Sequence, residues 1–575
     1  MAHFHIKKKR GRPYLYVREI KRVNGKPKVV SQIYIGSPEK VAALSRGEQG
    51  GEVKLKVEEF GALWVADQVD KTIGLSGIVD SVIPRADRET GPTVGEYFLY
   101  CVMNRMVKAV SKNALSGWYE RTAVQQIRPV DIKDLTSQRY WEKWDRVGEK
   151  DLEKIARRFF EKVWEVESPA GADCFLFDTT NYYTFMASDT PSELARRGKN
   201  KEGRHNLRQV GLGLLVDSET RLPLYYRAYP GNLHDSKLFA SVMDEMFGVV
   251  CGLSATKERL TVVIDKGMNS PGNYAWIDEH SRAHFITTYS TYFAEELVAT
   301  PLERFEPIDT EKNRKLSETG HPTERLLVYR TTGEYWGKER AVVVTYNPAT
   351  ARKQTYTFDS KLAELRAELL SMRAKVKAAA PHWRNVEKIK ERYLRHCERL
   401  HVSSDLFDLE LDASGGDLSM SFRKNSYAIE KKRAAFGKNI IITDNTDWTT
   451  PEIVEASLDR WQVEDRFRLS KDEDLVGAQP FRHWTDSKIR CHLFTCVVAM
   501  TYLRMIELRL ATADIKRTAS DVMDDMRHLH SVLSFAGRAR KPLRRLETPT
   551  KTQTEVLKAF GHHVDSLGVL QRLTR

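Results

Sequence analysis

The sequence predicts an α/β fold with helical regions on either side, and three observations carry that expectation. Two short apolar runs, Cys174-Phe-Leu-Phe177 and Leu260-Thr-Val-Val-Ile264, are too short for helices and read as buried strands. Between them lie two further strand-like runs, 210–216 and 222–229, and a helix over about 235–247. Before and after this region, apolar residues recur at helical spacing.

Taken in order, residues 1–50 form a basic β-hairpin unit. Lys7-Lys-Lys-Arg-Gly-Arg12 precedes two β-rich runs, 14–20 and 29–35, that flank Asn24-Gly25, a strong hairpin signal. Its cations either grip phosphates or stay solvated. Residues 51–169 read as a helical N-terminal domain with DNA binding as its expected role. Thr93-Val-Gly-Glu96 is a capping box, and Leu99, Val102, Met103, Met106 and Val110 follow it at helical spacing. A second stripe, Leu152, Ile155, Ala156, Phe159, Phe160 and Val163, is core-facing by the same criterion.

Residues 170–280 hold the short strands, two of which end in acids, Asp178 and Asp265. The interval 281–435 mixes strands (285–289, 326–329, 341–346) with charged helices (361–376, 386–400) and reads as an insertion. Within 436–510 come a strand over 438–443, a loop, one amphipathic helix over 457–471 and a core helix over 487–510. Residues 511–575 close the chain as a helical basic region that includes Arg538-Ala-Arg-Lys-Pro-Leu-Arg-Arg545.

Composition narrows the partner. The 575 residues carry a formal charge of +14, which favours a polyanion, nucleic acid before an anionic membrane. Six scattered cysteines argue against a disulfide framework or structural zinc and suit a reducing cytoplasm. There is no signal peptide and no run of about 20 apolar residues, so no membrane association is expected.

On the helix over 457–471, Arg460, Glu464 and Lys471 share one side, with Ser457 beside them, while Val463 and Phe467 turn inward. Three acids distant in sequence, Asp178 and Asp265 at strand ends and Glu464 on a helix, can converge at one sheet edge. Such an oxygen-only set suits a pair of Mg²⁺ ions serving in-line phosphoryl transfer. Asp444, also at a strand end, is the chief rival to Glu464, followed by Asp447, Asp459 and Asp465. Trp461 is either a core anchor or a platform for a displaced base. His205, His234, His483 and His492 lack ligand spacing.

Arg460-Trp-Gln-Val-Glu464 with Lys471 resembles the Tyr-x2-Arg-x3-Glu-x6-Lys signature of bacterial insertion-sequence transposases with a DDE catalytic core. Phe177-Asp-Thr-Thr180 resembles the first-acid motif of that family and Ile264-Asp-Lys-Gly-Met268 the second. Gly231-Asn-x2-Asp235 resembles a segment typically found between them. The resemblance implies an RNase H-like core over 170–280 and 436–510, interrupted by the insertion at 281–435. It further implies an enzyme that binds the inverted-repeat ends of its element, cleaves them by metal-dependent hydrolysis and joins the 3′-OH ends to target DNA, as a homodimer. Asp178, Asp265 and Glu464 would be catalytic metal ligands for two Mg²⁺ ions, for which Mn²⁺ can substitute. Arg460, Lys471 and Trp461 would meet DNA, in the bacterial cytoplasm at the nucleoid. Ser457 stands where the signature has Tyr, a departure that removes the aromatic surface at that place. A nuclease without strand transfer and a non-catalytic DNA-binding derivative are the alternatives.

Overall fold

The structure is a computed structural model that describes residues 2–9, 11–23, 26–45, 53–167, 173–199, 203–253, 257–413, 418–536 and 542–573. The expected turn Asn24-Gly25 and the first half of the basic run at 538–545, residues 538–541, lie outside these residues. The protein is mixed α/β and divides into two compact units.

One unit gathers Met1–Gln68, Lys112–Asp134 and Arg509–Arg575. Its first sheet is antiparallel, β1 (Ala2–Lys9), β2 (Arg12–Val23) and β3 (Lys26–Gly36) in that order. The sequence suggested two strands; the basic run adds a third, because Phe4 and Ile6 alternate along it and fall opposite Val17 and Leu15. A second sheet pairs Val53–Glu59 with His530–Ala536, which also pairs Leu543–Leu546. These segments were expected to be helical. Val53, Leu55 and Val57 alternate at the period of a strand, and the partner strand lies more than 470 residues further along the chain. Beyond this strand the chain must pass very close to its neighbour: a Cβ on Gly61 would sit 2.4 Å from the Met526 carbonyl oxygen.

The other unit holds Val69–Ser111 and Leu135–Leu508. Its helix Val94–Val107 starts at the expected capping box, with the Glu96 amide donating to Thr93 and the Thr93 amide to Glu96. Leu99, Val102, Met103 and Met106 are buried, and Val110 falls beyond the helix end. The second stripe is buried in Glu149–Glu167.

A mixed sheet dominates this unit. Its main strands are β4 (Cys174–Thr184), β5 (Arg208–Asp217), β6 (Pro223–Pro230), β7 (Leu260–Ile264), β8 (Ala283–Tyr289), β9 (Leu327–Tyr335), β10 (Lys338–Tyr346) and β11 (Lys438–Thr443). In space they run β9-β10-β11-β8-β7-β4-β5, with β6 on the far side of β5. β4, β5 and β6 are antiparallel neighbours, whereas β4, β7 and β8 are parallel. Strands β8 to β10, expected within an insertion, instead extend this one sheet. What stands apart from it between 281 and 435 is mainly the helix Pro348–Lys377, the helix Val386–Leu400 and a small hairpin, Phe407–Asp412 with Ser419–Lys424, around their own core cluster.

Phe175, Phe177, Val262, Ile264 and Phe285 point into one core layer, closed by the helix Asp235–Leu253. The other face of β4 and β5 takes the helix Trp461–Lys471. The region read as one helix over 457–471 is two, Thr450–Asp459 and Trp461–Lys471, meeting at Arg460. Asp486–Thr512, the core helix expected over 487–510, is, among the described residues, the one helix long and apolar enough to cross a membrane; 83% of that apolar stretch is buried in the fold, the situation of a core helix.

The Tyr182 hydroxyl lies 2.7 Å from Ser470 Oγ, tying β4 to the helix Trp461–Lys471, and Ser470 itself donates to the Phe467 carbonyl. Tyr182→Phe is expected to lower unfolding free energy by about 1 kcal/mol, read as a shift in the urea midpoint without a change in slope.

Candidate active site

Parallel pairing between β4 and β7 aligns Phe175 with Val262 and Leu176 with Val263. Two residues further, Asp178 is level with Asp265. Since side chains alternate, both aspartates take the face of Leu176 and Val263, opposite the phenylalanine-rich core. Asp178 is nearly buried, and its Oδ1 accepts a hydrogen bond from the Thr179 amide at 2.7 Å. Asp265 follows the last residue of β7 in extended conformation and is partly exposed. Thr288 Oγ1 lies 3.4 Å from its Oδ1.

The helix Trp461–Lys471 buries Val463, Phe467 and Ser470, and so presents Glu464 toward the same edge. A cleft of about 560 Å³ is lined by Asp178, Thr179, Thr180, Glu464, Arg468 and Lys471. Arg460, at the junction of the two helices, places its guanidinium 2.5 Å from Asp265 and 3.6 Å from Glu464. One cation thus bridges the second and third acids, while the cleft joins the first and third. Lys471 extends over the Tyr182 ring, 5.9 Å from its centroid.

The rivals to Glu464 are engaged elsewhere. Asp444 accepts from the Phe285 amide at 2.8 Å and meets His284 Nδ1 at 2.8 Å. Asp265 follows β7 at the level of Thr288, because Ile264 pairs with Thr287. Asp444 therefore lies about three residues back along β8, roughly 10 Å away at the sheet's other edge. Asp447 pairs with Arg259, and Asp465 with Arg466 and Arg468. His483 and His492 pack against each other in the core, with ring centroids 4.9 Å apart.

Asp235 was visible in the sequence only as part of a motif without a role. It begins the helix Asp235–Leu253, and a Cβ on Gly267 would lie 3.5 Å from its Oδ2 and 3.9 Å from Asp265 Oδ2. The two carboxylates therefore flank one glycine. Tyr229 joins them: burial, reinforced by the Asp235 carboxylate, pushes its phenol above the ordinary range and keeps it protonated. Its ring occupies the space that a side chain at position 211 would need, since a Cβ on Gly211 would come within 2.2 Å of it. Gly231 is required by a similar approach, to the Gln209 carbonyl.

The donor set fits a hard divalent cation. Asp178, Asp265 and Glu464 offer only carboxylate oxygens, the first two abreast on neighbouring strands, and the majority-exposed Glu464 side chain has room to turn. As they stand, no three His, Cys, Asp or Glu residues among the described residues are gathered closely enough to hold a metal. The Arg460 guanidinium occupies the space between Asp265 and Glu464, so closing the set around a cation requires its displacement.

Comparison with known proteins adds a family. Residues 184–502, more than half of the chain, match the model described as the transposase DDE domain; the match takes in Asp265 and Glu464 and starts six residues after Asp178. No curated protein matches the chain. Among solved structures it is similar to the piggyBac transposase of a synaptic complex with hairpin DNA, determined by cryo-EM, at 8% identity and a TM-score of 0.36 over 82% of each chain.

Trp461 is half exposed, with the Arg221 guanidinium 5.3 Å from its ring centroid. Trp461→Ala is expected to destabilise by only about 0.5–1 kcal/mol, the scale of an exposed cation–π pair, rather than the roughly 3–5 kcal/mol of a core tryptophan; urea denaturation distinguishes the two.

Proposed function

The chain belongs to the transposase DDE domain family, and on that premise we propose that it cuts and joins DNA with Asp178, Asp265 and Glu464 as its reactive acids. The observation that carries this reading is the level, same-face placement of Asp178, inside β4, and Asp265, just past the end of the adjacent parallel strand β7, with Glu464 sharing a cleft with Asp178. Three antiparallel strands followed by two parallel ones, with a helix between β6 and β7, support an RNase H-like core.

Mg²⁺, or Mn²⁺ in its place, would be held by these three carboxylates and would supply activation of a water or 3′-hydroxyl and neutralisation of the leaving oxygen. The protein's own side chains have separate tasks. Thr179 fixes the Asp178 carboxylate through its amide. Arg460 keeps Asp265 and Glu464 from repelling each other and, once displaced from between them, is placed to hold a backbone phosphate. Lys471, on the cleft wall, holds a second phosphate and steers the strand across Glu464. Trp461, at the surface, offers a ring for a base or sugar. Ser457 is buried and gives DNA no surface, so the contact made by an aromatic at this place in the family signature has to come from elsewhere. The substrates are the inverted-repeat ends of an insertion sequence and a target duplex, brought together by a homodimer in the bacterial cytoplasm.

Purified protein with Mg²⁺ and a labelled duplex carrying the inverted repeats that flank its gene is expected to yield first a cut 3′ end and then a joined product. Asp178→Asn, Asp265→Asn and Glu464→Gln are each expected to reduce cutting by on the order of 10³-fold, the rate equivalent of several kcal/mol of lost metal stabilisation, with duplex binding retained. Normal cutting by these variants would refute the site; cutting without joining would make the protein a nuclease.

Lys471→Gln is expected to lower the slope of log binding constant against log salt by about 1, the effect of one phosphate contact, measured by fluorescence anisotropy.

A further inference from the structure

Residues 1–36 contain ten Lys and Arg against one acid, Glu19, and so hold +9 of the chain's formal +14. The described residues among them form the sheet β1-β2-β3, in the unit that does not contain the three acids. Its register separates its side chains. Phe4 and Ile6 of β1 lie opposite Val17 and Leu15 of β2, and Val17 lies opposite Ile33 of β3, giving one apolar face. The intervening residues make the other face: Lys7 and Lys9 on β1, Arg12, Tyr16 and Arg18 on β2, and Tyr34 on β3. Contacts within that face agree with the register, since the Tyr16 and Tyr34 rings lie 5.3 Å apart and Arg18 Nε donates to Gln32 at 2.8 Å.

We propose that this basic, tyrosine-bearing face docks on duplex DNA, with Lys7, Lys9, Arg12 and Arg18 on backbone phosphates. Lys7, Lys9 and Arg12 are exposed, and alternate residues of a strand recur about 7 Å apart, a row that can follow a phosphate backbone. Small β-sheets are a known way to enter a DNA groove, and the paired tyrosines and Arg18–Gln32 give the sheet a rigid polar centre. The charge is asymmetric as well as dense, because Glu19 lies on the apolar side and pairs with Lys21 at 3.8 Å. The choice of partner rests on the transposase reading, but the face itself does not.

The test uses the full chain with Asp178→Asn and EDTA, so that nothing is cut, titrated with a short fluorescent duplex over a series of salt concentrations. K7Q with K9Q is expected to lower the salt slope by about 2, since each lost phosphate contact removes about 0.9. The charge-matched pair K8Q with K21Q, on the opposite face, is expected to change it by less than half as much. Equal effects from the two pairs, or none from either, would overturn the proposal. Should K7Q with K9Q fail to fold, lysine acetylation of the unsubstituted surface decides: protection of Lys7 and Lys9 over Lys8 by DNA supports docking, and uniform protection refutes it. Phosphatidylserine vesicles form the second arm. Vesicle binding that disappears in K7Q with K9Q while duplex binding persists would assign the face to a membrane and overturn the DNA assignment. Because the readout is metal-free binding, a protein that binds through this face but never cuts would refute only the transposase mechanism, and one that cuts but shows no face dependence would refute only this inference.

Discussion

Everything at the candidate centre depends on the register between β4 and β7. Parallel pairing of Phe175 with Val262 and Leu176 with Val263 carries Asp178 and Asp265 to the same level. The same register sends Phe175, Phe177, Val262 and Ile264 into the core. A slip of one residue would turn the aspartates inward and the phenylalanines outward, so the burial of apolar area that stabilises the sheet also fixes the acids. The two aspartates are therefore placed by the core beneath them, and the most exposed of the three acids, Glu464, is the one supplied by a helix.

Bringing three carboxylates together costs electrostatic free energy unless positive charge stands among them. Arg460 provides it, reaching Asp265 and Glu464 at once from a helix junction. Lys471 adds a second cation on the cleft wall. Asp235 and Tyr229 close the group from the core side, one flanking Gly267 opposite Asp265, the other filling the space left by Gly211. Glycines 211 and 231 thus share one purpose, admitting the Tyr229 ring and the Gln209 carbonyl where a side chain would collide, whereas a Cβ at Gly267 would meet the two carboxylates only at ordinary contact distance.

Much of this was legible from local pattern. The strand-end position of Asp265, the inward-facing Val463 and Phe467, and the capping box at Thr93 follow from periodicity and turn chemistry, which act over a few residues; Asp178, expected at a strand end, instead lies inside β4, because antiparallel pairing with β5 carries that strand on to Thr184. Less legible were features set by distant partners. Local pattern does not reveal the strand at Val53–Glu59, because its partner, His530–Ala536, is remote in sequence. The strands expected in a separate insertion extend the main sheet because β11 returns to lie between β8 and β10. Trp461, for which a core position was one reading, is half exposed beside Arg221.

By itself the sequence determined which residues are available to the proposed site: the acids, the cations spaced around Glu464 and a positive charge concentrated in the first 36 residues. It also determined the strands that carry the acids, because apolar runs of four or five residues have few ways to be buried. Only the tertiary structure decided which acids share one edge of the sheet. Asp444 also follows an apolar strand, yet antiparallel pairing of that strand with β8 delivers it to the opposite edge, against His284 and the Phe285 amide. Strand direction is set by the global path of the chain, and no local stretch of sequence encodes it.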